Sequence, residues 1–178
     1  MIINYLRLLT EERNTSAPYG CLMAKVADSH SKKIIEFGNK IISDDILFIE
    51  NGEFGREIDP HVTIKYGFDP DLTELEIRRV IKGVKPFQVR ILKLSLFNNN
   101  PKYDVVKFDV DSPILHQVRN LCDTYPNRDT FPEYHPHLTL AYVQKGTFDP
   151  QGKNITMSVP ISEIYYSPGI GEKSYFNL

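Results

Sequence analysis

A seven-residue phrase that occurs twice constrains the fold of this chain more than any other feature. Residues 60–66 read Pro60-His61-Val62-Thr63-Ile64-Lys65-Tyr66, and residues 136–142 read Pro136-His137-Leu138-Thr139-Leu140-Ala141-Tyr142. Both copies are P-H-Φ-T-Φ-x-Y, with Φ aliphatic. Apolar residues alternate with others, which predicts a half-buried β-strand in each. Side chains two residues apart on a strand share a face. The pattern therefore puts His61 and Thr63 on one face, opposed by Val62, Ile64 and Tyr66. It puts His137 and Thr139 together in the same way, opposed by Leu138, Leu140 and Tyr142. The apolar faces, with both tyrosines, are expected to pack on a core.

The segments around the two strands read as alternating helices and strands. A strand is expected over Cys21–Ala27. The helix after it is capped by Asp28 or Ser29, with Ile34, Ile35, Ile41 and Ile42 on one face. A short strand around Ile46–Ile49 and a mobile acidic loop over 50–59 lead into the first repeat. Thr73 and Glu76 form a capping box for a second helix, stapled by Leu72 and Ile77. Phe87–Phe97 and Tyr103–Val110 form a hairpin about the turn Asn98–Lys102. Ser112 and Pro113 start a third helix, and a Pro- and aromatic-rich loop, 124–134, leads into the second repeat. Strands at Ile155–Val159, Ile161–Tyr166 and Ser174–Asn177 close the chain. The sum is α+β: one domain over residues 1–178, bilobal, with two pseudo-symmetric lobes of antiparallel sheet around a central cleft. Each lobe lends one H-x-T strand.

Charge and cysteine content narrow the partners. The net charge is −2, which argues against a protein that coats long nucleic acid through many phosphate contacts. A small nucleotide or a single RNA end in a local basic cleft stays open. Cys21 and Cys122 stand in no C-x-x-C pattern, so they read as buried reduced thiols of a cytosolic protein. No apolar run reaches membrane-span length, and the first residues lack a signal-peptide pattern. The expected location is the cytoplasm.

Two imidazoles facing each other suit proton transfer in both directions. One takes a proton from an attacking hydroxyl or water, and the other gives one to the leaving oxygen. The threonine hydroxyls stand beside them to hydrogen-bond phosphate oxygens. Phosphoryl chemistry needs positioning and charge stabilisation more than covalent catalysis. The four candidate catalytic residues are therefore His61, Thr63, His137 and Thr139. A metal site is the rival use. It is disfavoured because neither motif carries an acid cluster, and the third imidazole, His135, is separated from His137 by Pro136. No metal or cofactor is expected.

These two strands and the order of elements around them resemble the two-histidine (2H) phosphoesterase superfamily, the LigT-like fold. Its hallmark is a pair of H-Φ-[ST]-Φ strands, matched here by His61-Val62-Thr63-Ile64 and His137-Leu138-Thr139-Leu140. The resemblance implies a metal-independent phosphodiesterase acting on ribonucleotides. The compact chain also resembles the phage anti-CBASS branch. That implies hydrolysis of 3′-5′ bonds in cyclic di- and trinucleotide immune signals, in the host cytoplasm if the chain is viral. RNA 2′,3′-cyclic phosphate ends and 2′-5′ oligoadenylates are the nearest alternative substrates. Sequestration without cleavage is the alternative from another class. Which histidine is acid, which base, and the oligomeric state are left open.

Four further residues are candidates for substrate binding. Tyr19 can stack on a base or serve as a core tyrosine. Lys65 has the parity of His61 and can meet a phosphate, or it is a solvated strand lysine. Tyr134, with Phe131, can form a lid or pack beneath its own loop. Glu163 can read a base edge or orient a histidine, or it is a solvated strand residue.

Overall fold

The alternating segments pair into one long sheet. In the computed structural model, which describes residues 19–128 and 133–178, the strands are β1 (Gly20–Lys25), β2 (Ile49–Glu50), β3 (Glu53–Phe54), β4 (His61–Phe68), β5 (Phe87–Phe97), β6 (Tyr103–Asp111), β7 (His137–Gln144), β8 (Ser158–Ile161), β9 (Glu163–Ser167) and β10 (Ser174–Asn177). The helices are α1 (Asp28–Ile41), α2 (Glu74–Val80) and α3 (Pro113–Cys122). Eight strands run in the order β10-β9-β1-β4-β7-β6-β5-β8, with every neighbouring pair antiparallel. Each repeat is a central strand, as its alternation required. The two four-stranded halves meet at β4 and β7, through the single register pair Val62↔Leu138. The expected α+β fold with two antiparallel lobes is thus one curled sheet with a weak central seam.

The helices cover one face of that sheet. Ile34 of α1, Ile77 and Val80 of α2, and Leu115, Val118 and Cys122 of α3 are buried in one cluster with Val62, Ile64, Leu138 and Leu140. Burial of such aliphatic side chains is worth about 1.5–3 kcal/mol each. The capping box of α2 forms as expected: Thr73 accepts from the Glu76 amide, and Glu76 accepts from the Thr73 amide. Gly38 belongs to the packing of α1, since a Cβ there would lie 3.8 Å from Cβ of Leu140 on β7.

Several boundaries differ from expectation. Ala27 is the residue before α1 and gives no side-chain cap, because Asp28 already lies inside the helix. The first strand ends at Lys25. The segment expected as Ile155–Val159 pairs only from Ser158, and Pro160 is accommodated because β8 is the sheet edge. The stretch expected as a mobile loop over 50–59 instead holds most of the β2–β3 hairpin and docks on β7 through Gly55 and Glu57. Phe131 and residues 1–18 lie outside the described residues.

The start of β1 sets a local packing limit. A Cβ on Gly20 would lie 2.4 Å from the hydroxyl oxygen of Tyr166, whose side chain is buried. Gly20→Ala is therefore expected to overpack this corner and cost about 1–3 kcal/mol, read as a lower urea midpoint. A variant as stable as the parent would show that Tyr166 moves aside freely.

Candidate active site

Each repeat strand breaks its own alternation, and the break shapes the site. Leu22 of β1 pairs with Lys65, while the next residue, Met23, pairs with Thr63. Ile64 and Lys65 therefore oppose one residue, a β-bulge. β7 carries the same bulge. Val106 pairs with Ala141 and Lys107 pairs with Thr139, so Leu140 and Ala141 oppose Val106. Each bulge reverses the parity of the residues beyond it. Tyr66 and Tyr142, expected in the core, turn instead to the face of the histidines and threonines. There Tyr66 packs with Tyr19, Cys21, Met23 and Tyr165, and Tyr142 packs with Tyr103 and Val105.

The bulge also corrects the expectation for Lys65. Its side chain is 1% exposed and its Nζ lies 2.6 Å from Oδ1 of Asp123, just after α3. Arg119 pairs with the same carboxylate. Lys65 is thus on the helix side, holding α3 against β4, and does not share a face with His61. Although desolvation opposes ionisation of Asp123, the Lys65 hydrogen bond and the Arg119 charge hold its carboxyl below the usual range.

The seam brings the two motifs together. Antiparallel pairing of Val62 with Leu138 sets Thr63 across from His137 and His61 across from Thr139. The four residues form one quartet about a local pseudo-two-fold. Both histidines are oriented from behind in the same way. His61 Nδ1 lies 2.8 Å from the Asp59 carbonyl oxygen, and His137 Nδ1 lies 2.8 Å from the His135 carbonyl oxygen. A carbonyl only accepts, so Nδ1 carries the proton and donates, which assigns proton transfer to Nε2 in both rings. The repeated proline has a role here. Asp59 and His135 each precede a proline, which biases them to extended backbone.

An aromatic ring braces each imidazole. Tyr165 stands edge-on to His61 at 6.2 Å, and Phe97 stands edge-on to His137 at 4.8 Å. Burial pushes the His137 imidazole down to about 4; the His135 carbonyl and Asp109 oppose that shift, while Lys107 and His61 add to it. Thr63 and Thr139 are both buried, and the Thr63 hydroxyl lies within reach of the Cys21 thiol. The neighbouring Cys21 thiol is pushed up to about 12 by burial and stays neutral.

Of the other expected binding residues, Tyr19 is buried, packing its ring at 79° to that of Tyr66. Arg128 lies 5.7 Å from the Tyr19 ring. Glu163 meets Lys25 at 2.9 Å, and β9–β1–β4 pairing puts Glu163, Lys25 and His61 in one cross-strand row. Tyr134 donates its hydroxyl to the Thr63 carbonyl oxygen at 2.9 Å, so it straps the lead-in of the second motif to the strand of the first. Three charged neighbours escaped the sequence reading: Lys25, Lys107 and Asp109. Their parity was legible, but the register that puts them beside the motifs was not. Among the described residues, no three His, Cys, Asp or Glu side chains gather where they could hold a metal ion. Among the same residues, no helix is long and apolar enough to cross a membrane.

The segments leading into the motifs are exchanged. Residues 47–57, which precede His61, pair with β7. Phe48 N donates to the Tyr142 carbonyl, Tyr142 N to that of Gly55, and Glu57 N to that of Leu140. Residues 126–128, on the way to His137, pair with β4: Arg128 N donates to the Gly67 carbonyl, and Asp69 N to that of Pro126.

The family model of the 2′-5′ RNA ligase superfamily matches residues 51–151, a span that contains both H-x-T strands. Solved structures of similar fold include Escherichia coli LigT with 3′-AMP, at 12% identity and a TM-score of 0.62, covering 92% of this chain and 96% of that one. LigT complexed with NADP+ aligns over the same shares at 16% identity and a TM-score of 0.61. Kluyveromyces marxianus Usb1 with uridine monophosphate aligns at 14% identity and 0.59, covering 89% of this chain and 97% of that one. No curated protein matches the chain in sequence.

Proposed function

The chain belongs to the 2′-5′ RNA ligase superfamily, the LigT-like 2H phosphoesterases, and from that premise we propose that it hydrolyses 3′-5′ phosphodiester bonds of cyclic di- and trinucleotides without a metal ion. The observation that carries the catalytic part is the quartet at the seam: two imidazoles with Nδ1 tied to backbone, each across from the threonine of the other motif. In the proposed reaction, Nε2 of one histidine takes the proton of a water, or of a ribose 2′-hydroxyl to leave a 2′,3′-cyclic phosphate end, as its oxygen attacks phosphorus. The bond from phosphorus to the 5′ oxygen breaks, and Nε2 of the other histidine protonates that oxygen. Thr63 and Thr139 hydrogen-bond the non-bridging oxygens where charge develops. The buried Thr63, across the seam from His137, supports this role.

Support for a small cyclic substrate rests on the net charge of −2 and on the resemblance to the phage branch. In this reading the protein removes cyclic signals that bacteria make on infection, acting in the host cytoplasm. RNA 2′,3′-cyclic phosphate ends are the second reading. They are favoured by the small nucleotides, 3′-AMP and uridine monophosphate, held by LigT and Usb1.

A panel decides between them. Cyclic dinucleotides, cyclic trinucleotides, 2′-5′ oligoadenylate and RNA-2′,3′-cyclic phosphate are incubated with enzyme in EDTA and resolved by chromatography. Cleavage of a cyclic oligonucleotide is expected. Exclusive cleavage of RNA ends would transfer the assignment to the second reading. Loss of all activity in EDTA would end the metal-independent mechanism, and tight binding with intact nucleotide after long incubation would identify a sequestering protein.

A further inference from the structure

The two motifs are alike, but the strands beside them differ in a way that assigns their roles. Across from Thr63 on β1 is Met23, and across from His61 is Lys25. Across from Thr139 on β6 is Lys107, and across from His137 is Asp109. The row next to His61 therefore runs Glu163, Lys25, His61, while the row next to His137 runs Lys93, Asp109, His137. The second half also holds a cation in its threonine row that has no counterpart in the first.

That cation is Lys107, only 4% exposed although it is charged. Its ammonium group donates to Ser95 Oγ at 2.8 Å and pairs with the Asp109 carboxylate, to which Ser95 also donates at 2.9 Å. It lies 4.1 Å from the centroid of the Phe97 ring, and that ring braces His137. Lys93 adds a second ammonium 3.6 Å from Asp109. A carboxylate next to an imidazole normally favours the imidazolium ion. Here two ammonium groups and a hydroxyl occupy that carboxylate.

We propose that Lys107 is a positioning residue which, by pairing with Asp109 beside His137, keeps His137 in the neutral form that accepts a proton and leaves His61 as the donor. The charged groups facing His137 are Lys107 and Asp109 from β6, Lys93 from β5 behind them, and His61 from β4. Around His61 stand Lys25 of β1 and Glu163 of β9, with Lys173 and Asp59 paired at 3.9 Å at the end of the motif's lead-in. Lys107 acts on His137 twice: its own charge repels an imidazolium, and its ion pair withdraws Asp109. Burial is the largest cause of the downward direction at His137, and the Lys107 charge adds to it. The assignment of acid and base rests on the phosphodiesterase reading; the electrostatic coupling does not.

The test is a proton NMR titration of the two motif histidines in the whole protein, with H137Q assigning the resonance it removes. His137 is expected to titrate below the ordinary histidine value. K107M is expected to raise the His137 midpoint by about one pH unit or more, K107R to leave it low, and K107M/D109N to bring it back down. An unchanged midpoint in folded K107M, or a His137 midpoint at or above the ordinary histidine value in the parent protein, overturns the proposal. The second comparison needs no variant that must fold around a missing charge. On a cleaved substrate, activity is lost as pH falls through the His137 midpoint, so K107M moves that limb to higher pH. If no substrate in the panel is cleaved, the titration still decides the coupling.

Discussion

Alanine at either His61 or His137 is expected to lower kcat by roughly 10²–10⁴-fold, the usual worth of a positioned acid or base. Substrate affinity is expected to change far less, since the pocket loses one ring and no backbone. The double variant should be little worse than the poorer single one, because groups that act as a unit are not additive. Rapid-quench kinetics with a cleaved member of the panel measures all three. Both rings are partly buried at the seam, so thermal melts must accompany the kinetics. Near-parental turnover in both folded single variants would remove the quartet from the chemistry. Multiplied losses in the double variant would mean two independent contributions rather than one acid–base pair.

The second large effect concerns stability and separates two views of Lys65. Asp123→Ala leaves Lys65, with a side chain 1% exposed, and Arg119 without their shared anion. Removing one partner of a buried ion pair costs about 3 kcal/mol, the low end of the range because Asp123 is itself half exposed. Lys65→Met replaces the buried pair member by a chain of similar length, and is expected to be near neutral for stability and to keep turnover. The contrast is read from urea unfolding midpoints and from kcat/KM in the same buffer. A large loss of substrate affinity in K65M would return Lys65 to the phosphate contacts. The pH dependence comes from the depressed Asp123 carboxyl. Its contribution is present above the unfolded-state pKa and is lost as pH falls through the lower folded-state value. K65M should therefore lose less stability in acid than the parent protein.

The H-x-T pairs were legible because alternation is a local property: His61 with Thr63, and His137 with Thr139, share a face in any strand. The capping box at Thr73 and Glu76 was legible for the same reason. The bulges were not. A bulge depends on which strand lies opposite, and Ile64-Lys65 and Leu140-Ala141 show an unbroken pattern when read alone. That one extra residue moved Lys65 to the helix side and brought Tyr66 and Tyr142 to the face of the histidines. Lys107 and Asp109 were missed through register as well. Their neighbours on β7 are set by the pairing of two strands far apart in the chain. Glu163 lies on a late strand, as its sequence suggested, but its cation, Lys25, becomes visible only when β1 is placed between β9 and β4.

The exchange of lead-in segments bears on how such a chain can arise by duplication. A half-length ancestor would hold one H-x-T strand whose edge beyond the motif is bare, and bare edges recruit partners. Two copies related by a two-fold axis would satisfy each other, each extending its lead-in along the strand of its mate. That is the geometry of an isologous dimer. Here residues 47–57 and 126–128 make those reciprocal contacts within one polypeptide. Fusion would free the halves from identity, and the positions across from the two threonines differ in this chain, Met23 in one half and Lys107 in the other.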